Sequence, residues 1–304
     1  MWMVWLILGC VIVVFALSYC CYWVAFYNPV ERHNEAVVIR RESDPECLNE
    51  MCKQMSEQEC ERVYIRSFDG VTLVGRYYHR SNDGPILIQF HGYRGNGVRD
   101  FCFAHHICSK NNISSLVVDQ RAHGESGGNT MTFGILERKD CLCWARYVQN
   151  RFGSTRKIFL SGVSMGAATV LMASALPLPE NVSGIIADCS YSAPGGIIRK
   201  VISDMRVSSG ILYPFVVLGA LVFGGFRIWE ASPLDAVEKT TIPILLIHGS
   251  EDRFVPCEMS SRIFEHCKGE KYLEIFPGAG HGGCCANDPV RYEKILASFM
   301  NCCQ

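Results

Sequence analysis

Three side chains far apart in the chain carry residue types and settings suited to nucleophilic acyl transfer. Ser164 lies in Gly162-Val163-Ser164-Met165-Gly166, directly after the apolar run Lys157–Leu160 and directly before the small residues Ala167-Ala168. A serine between glycines at a strand-to-helix turn stands on a tight, strained backbone, and a Cβ at either flanking glycine would clash. At a helix N-terminus the dipole favours negative charge developing beside it. A free serine hydroxyl is a weak nucleophile, so it needs an adjacent base. His281, in Pro277-Gly278-Ala279-Gly280-His281-Gly282, follows the run Tyr272–Phe276 and is placed to take the serine proton and return it to a leaving group. Asp252, in His248-Gly249-Ser250-Glu251-Asp252, follows the run Ile244–Ile247 and is placed to hold the imidazole tautomer and stabilise imidazolium. The tetrahedral oxyanion needs backbone N–H donors. The glycine-rich stretch His91-Gly92-Tyr93-Arg94-Gly95-Asn96-Gly97, after the run Ile86–Phe90, supplies one of them; the donors are assigned to Tyr93 and Met165.

Other residues compete for these roles. Asp188 also follows an apolar run, Gly184–Ala187, and is the alternative acid. His91 and His248 precede glycines at strand ends and read as packing residues, and His105 and His106 read as surface or core histidines on a helix. His281-Gly282-Gly283-Cys284-Cys285 lacks the spacing of a zinc site, so neither a metal nor a cofactor is expected.

Side chains so distant in sequence meet only if strands deliver them to one edge. From Arg62 onward, short apolar runs alternate with helix-length segments such as Gly134–Arg151, Ala167–Ala175 and Asp288–Met300. Arg62–Ser67 and Val71–His79 flank Asp69-Gly70, a hairpin signal. The remaining runs, with Ser115–Asp119 among them, read as buried strands. An antiparallel start followed by strand–helix alternation predicts an α/β fold with a mainly parallel eight-stranded sheet covered on both faces. Ligands of such sheets bind at the carboxyl ends of the strands, where the candidates stand.

The order Ser164, Asp252, His281, each just past a strand, resembles the α/β-hydrolase superfamily. So does Asp119-Gln120-Arg121-Ala122-His123-Gly124-Glu125-Ser126, which is similar to the family's D-x-R-G-x-G-x-S turn with alanine in place of the first glycine. The resemblance covers about Arg62 to Met300. Within the family the chain looks most like membrane-anchored bacterial esterases and depalmitoylating hydrolases. The resemblance implies cofactor-free hydrolysis through an acyl-enzyme.

Composition frames the rest. The chain of 304 residues is 49% apolar and has a formal net charge of -1, which argues against a nucleic-acid binder and against disorder. The apolar excess lies in Met1–Tyr27, which has no Asp, Glu, Lys or Arg and only Gly9 and Ser18 outside the apolar class. As a helix it would reach about 40 Å, enough to span a bilayer. Trp2, Trp5, Tyr19, Tyr22, Trp23 and Tyr27 crowd its ends. A cleaved signal peptide is the alternative, but that needs a basic start and a shorter apolar run. Arg32, Arg40 and Arg41 follow the span, which predicts a single-pass membrane protein with its catalytic domain in the cytoplasm. The 17 cysteines, with no C-x-x-C spacing, fit reduced thiols.

The expected organisation is therefore an anchor over 1–27, a polar connector over 28–61 with a short helix starting at Ser43-Asp44-Pro45, and a hydrolase domain over 62–304. An insert at about 190–229 leaves the strand–helix rhythm and carries the apolar stretch Ile211–Phe226, read as a lid or as a buried helix pair. The expected activity is that of a serine hydrolase cleaving carboxylic ester or thioester bonds of small-molecule or lipidic acyl substrates. An aminopeptidase-like peptidase remains open, although the insert offers only Asp204 and Glu230 to an amine, as does a non-catalytic binding module.

Overall fold

A computed structural model describes residues 1–29 and 46–303. Eight strands form one sheet: β1 Glu61–Arg66, β2 Thr72–Tyr78, β3 Ile86–Phe90, β4 Ser114–Asp119, β5 Ile158–Val163, β6 Val182–Asp188, β7 Ile244–Gly249 and β8 Lys271–Phe276. Their spatial order is β1-β2-β4-β3-β5-β6-β7-β8. β1 and β2 run antiparallel, β2 meets β4 antiparallel, and every later neighbour is parallel. The Asp69-Gly70 turn closes the first hairpin with Gly70 at φ +86°.

Every residue of β3, β4 and β7 is buried, as expected for strands covered on both faces. Alternation still sorts their side chains. Ile86, Ile88 and Phe90, with Ile244 and Leu246, pack with Trp144, Val170 and Ile263 of the helices α4 Glu137–Phe152, α5 Met165–Ala173 and α9 Glu258–His266. Leu87, with Leu245 and Ile247, packs on the other face with Ile107, Leu296 and Phe299 of the helices α3 Gly97–Lys110 and α10 Pro289–Cys302. The expected helical layers on both faces are thus present.

Two N-terminal regions pack against the domain. The connector holds a helix, α2 Glu46–Glu57, whose Met55 is buried against Phe101 and Ala104 of α3; this part packs on the domain rather than bridging to it. The start assigned at Ser43-Asp44-Pro45 lies outside the described residues. The second region is α1 Trp2–Ala25. Every residue through Leu17 is exposed, but Ser18 and Tyr22 are buried, and Phe26 just beyond is completely buried. The helix therefore does not stop short of the domain; its last two turns are built into it.

The insert forms the helices α6 Pro194–Asp204 and α7 Ser209–Val222, followed by the short α8 Pro233–Val237. α7 lies along the lower part of α1. The contact is close enough that a Cβ on Gly219 would stand 2.5 Å from the Ser18 carbonyl oxygen. Phe223 packs its ring on Tyr19 and Tyr22 at 5.1 and 6.1 Å, and Phe26 fits edge-on between Phe133 and Phe226. Val216 and Ala220 of α7 are buried, while Ile211, Leu221 and Val222 remain exposed.

Candidate active site

Ser164 occupies the turn between β5 and α5 with φ +54° and ψ −112°, a backbone that costs of order 1–3 kcal/mol and persists only where its surroundings enforce it. The enforcement is visible in the flanking glycines. A Cβ on Gly162 would lie 2.2 Å from the Gly166 backbone, and one on Gly166 would lie 1.8 Å from the Phe90 carbonyl oxygen. Strand, turn and helix close so tightly that no side chain fits. The Ser164 N–H donates to the Asp188 carbonyl at 2.8 Å, pinning the turn to β6.

Three loops bring the distant candidates together. Ser164 Oγ lies 3.0 Å from His281 Nε2, and His281 Nδ1 donates to Asp252 Oδ2 at 2.7 Å. The other oxygen of Asp252 accepts from the Phe254 and Val255 backbone N–H groups at 2.9 and 2.8 Å, which turns Oδ2 toward the imidazole. Burial works to raise the Asp252 pKa, but the hydrogen bonds from His248 and His281 outweigh it and hold the carboxyl well below the usual range. His248 is buried; its Nε2 donates to the Val255 carbonyl at 2.9 Å and its Nδ1 meets Ser260 Oγ at 2.7 Å. It braces the loop that carries the acid. Gly249 lets this loop close on the histidine loop, since a Cβ there would meet the Ala279 carbonyl oxygen at 2.2 Å.

The other side of Ser164 is formed by the loop after β3. Gly92 backs on the serine, where a Cβ would stand 3.5 Å from Ser164 Cβ. Its N–H donates to Asp100 at 2.7 Å, and the Arg94 N–H donates to His123 Nε2 at 3.0 Å. His91 is fully buried, accepts from the Gln120 N–H and donates to the Gly92 carbonyl. Among the described residues, the backbone N–H groups of Tyr93 and Met165 have no acceptor in the protein. They are the donors assigned from the sequence.

Asp188, the rival acid, is fully buried behind the triad and bonds to Tyr292 Oη at 3.2 Å. Among the described residues its Oδ1 has no hydrogen-bond partner, and burial pushes its pKa up to about 6 against the pull of His248. Hydrogen bonding from imidazole goes to Asp252 instead. One buried neighbour carries no sequence signal beyond its place after β6. Cys189, at φ +50°, puts its thiol within 4.8 Å of the Asp252 and His281 ligand atoms, and burial pushes that thiol well above its ordinary pKa. His105 is a core histidine, as one reading had it, buried beside Gln58 and Arg80, while His106 is exposed.

The walls of the site are apolar. Met165 packs in one cluster with Ile197 and Val216 of the insert, Tyr191, Val255 and Phe26, with Tyr93 and Phe133 against it. Phe254, partly exposed, sets its ring 5.0 Å edge-on from His281. A separate cavity of about 490 Å³ lies between α6, α7 and Ile228–Asp235, lined by Pro194, Tyr213, Val217 and Trp229 but by none of the triad.

Known proteins resemble this chain in sequence and in fold. The family described as "Serine hydrolase (FSH1)" matches residues 202–282. The Bacillus subtilis (strain 168) protein YqkD is 26% identical over 90% of this chain and 88% of its own length. Esterase LipC of Mycobacterium tuberculosis is 29% identical over 49% of this chain and 40% of its own. The Pyrococcus furiosus esterase Pf2001 superposes with a TM-score of 0.63 at 22% identity, covering 86% of this chain and 95% of that one, which shows the α/β-hydrolase fold. The chain has the α/β-hydrolase fold and is similar to serine hydrolases and esterases.

Proposed function

We propose that this hydrolase cleaves carboxylic ester or thioester bonds of apolar acyl substrates at a membrane surface, through an acyl-enzyme on Ser164. The relay from Ser164 Oγ through His281 to Asp252, at 3.0 and 2.7 Å, carries the reading. His281 takes the Ser164 proton as Oγ attacks the acyl carbonyl carbon. The tetrahedral oxyanion forms opposite the free N–H groups of Tyr93 and Met165. His281 then protonates the departing alcohol or thiol. Water, deprotonated by the same imidazole, releases the acid and restores the serine. Asp252 stays ionised throughout and stabilises imidazolium.

The apolar wall around Met165, Tyr191 and Val255 favours an acyl chain over a charged substrate. The peptidase alternative is disfavoured by the two insert acids. Asp204 is paired with Lys200, and Glu230 with Arg138 at 2.8 Å, so neither is free for a substrate amine. α1, with mean hydropathy 2.5 over its most apolar window, is proposed as the uncleaved membrane anchor, with Arg32, Arg40 and Arg41 keeping the domain cytoplasmic. The domain limits proposed are those of the sequence reading: anchor 1–27, connector 28–61 and hydrolase 62–304, with the insert as a lid.

The test is fluorophosphonate labelling of Ser164→Ala beside turnover of acyl esters and thioesters of increasing chain length. Loss of labelling and turnover in a folded variant is expected, with rates rising toward longer acyl chains in the parent. Labelling that survives the substitution would reduce the chain to a binding module or move the nucleophile elsewhere. A sharp preference for acetyl groups or aminoacyl amides would remove the lipidic assignment.

A further inference from the structure

A helix leaves its last four carbonyls without intrahelical partners, and each must find a donor if it is withdrawn from water. At the lower end of α1 those donors come from the oxyanion loop. Arg94 Nη2 donates to the Val24 carbonyl at 2.9 Å and reaches the Tyr27 carbonyl at 3.4 Å. Tyr93 Oη donates to the Ala25 carbonyl at 2.9 Å. A cation at a helix C-terminus is also favoured by the dipole. These are consecutive residues, and the first carries the unpaired backbone N–H assigned above to the oxyanion.

The grip is mutual, because the chain beyond the helix is fixed to the same domain. Met131 N–H donates to the Phe26 carbonyl at 2.8 Å, Asn28 N–H donates to the Asn129 carbonyl at 2.9 Å, and the Asn28 side chain donates to the Ala122 carbonyl at 2.6 Å. Tyr22 Oη bonds to Thr130 Oγ1 at 2.7 Å. Phe26 is completely buried in the cluster that contains Met165. The oxyanion loop itself bends at Arg94, which holds φ +49° and so depends on its surroundings to stay there.

We propose that the last turn of α1 is a positioning element of the catalytic site: its carbonyls at Val24 and Ala25 hold the Arg94 and Tyr93 side chains and thereby aim the Tyr93 backbone N–H at the oxyanion. The inference rests on Tyr93 as an oxyanion donor. It makes Arg94 a positioning residue, since its side chain touches the helix end and not the substrate. A donor displaced by about 1 Å costs on the order of 100-fold in rate while ground-state binding barely changes.

The experiment uses the full chain in detergent and in phosphatidylcholine nanodiscs, with Arg94→Ala, Arg94→Lys and Tyr93→Phe. Arg94 is exposed, so its removal does not threaten the fold. Arg94→Ala should lower kcat by roughly 10- to 100-fold with KM within about threefold of the parent, and Arg94→Lys should recover most of the loss. Tyr93→Phe keeps the ring and the backbone N–H, and should lower kcat by a smaller factor, again without moving KM. Unchanged kcat in both Arg94→Ala and Tyr93→Phe overturns the proposal, and so does a rise in KM at constant kcat. Failure of the underlying reading looks different: Ser164→Ala would then keep its labelling whatever Arg94 does.

Discussion

The two sides of Ser164 are held in opposite ways. On the acid–base side, Asp252 is bonded to the backbone of Phe254 and Val255, and His248 braces the same loop through Val255 and Ser260. These contacts span between 2 and 12 residues, and the sheet delivers the loop. On the oxyanion side, Tyr93 and Arg94 are bonded to Ala25 and Val24, almost seventy positions earlier in the chain. Local bracing yields a proton relay that is complete wherever β7 and β8 are paired. Remote bracing adds to the local Gly92–Asp100 and Arg94–His123 bonds and ties this loop to α1 as well. The nucleophile stands between a self-supporting device and a conditional one.

Four substitutions sharpen or break this contrast. The largest effect is expected from His281→Ala, a loss of kcat on the order of 10⁵- to 10⁶-fold with α1 still docked, read by steady-state turnover. A loss under about 100-fold would mean that the proton relay is not where the contacts put it. Asp252→Asn should cost about 10⁴-fold in kcat while KM changes little, because the tautomer and the charge behind His281 are lost. Phe26→Ala, on the remote side, should destabilise by roughly 3–5 kcal/mol in chemical unfolding, as expected for a fully buried aromatic. If it instead lowered kcat with no stability change, α1 would serve the site alone and not the domain. The smallest effect is a slope. The Asp188 pKa is raised from an ordinary 3.8 to about 6, so between these values the folded protein keeps a proton that the unfolded chain releases. Stability should therefore fall as pH rises through that window, by roughly 1–3 kcal/mol in total. Asp188→Asn should flatten the decline; an unchanged slope in thermal scans from pH 4 to 7 would rule Asp188 out as its source.

The same contrast explains what could be read from the sequence. Each strand announces itself by a local apolar run, and each site residue sits within a few positions of a strand end. Ser164, Asp252 and His281, which the structure brings within hydrogen-bond reach of one another, could therefore be proposed without coordinates, as were Tyr93 and Met165, and so could the packing of His91 and His248. Gly162 and Gly166 gave their reason by spacing alone. What could not be read depends on distant approach. Arg94 was visible in its loop, but nothing near it in sequence points to Val24. Gly219 looks like any helical glycine until the Ser18 carbonyl is found against it. Gly249 hides its contact with Ala279 in the same way. The apolar character of Met1–Tyr27 was legible, but composition treats the whole run alike and cannot mark that one face is buried from Ser18 onward. Cys189 had no signature except its place after Asp188.

The docking of the last two turns of α1 has a mechanical consequence. If the helix spans a bilayer, only the stretch from Trp2 to Leu17 is free of the domain, and at 1.5 Å per residue it measures about 24 Å. A hydrocarbon core is about 30 Å thick. The shortfall is about one helical turn, so the domain must ride against the headgroups, with Leu221 and Val222 of α7 drawn toward the lipid beside it. A thicker membrane then pulls on the segment that Arg94 grips, and a thinner one slackens it. In that arrangement hydrophobic mismatch would load the contact between α1 and the loop that carries Arg94.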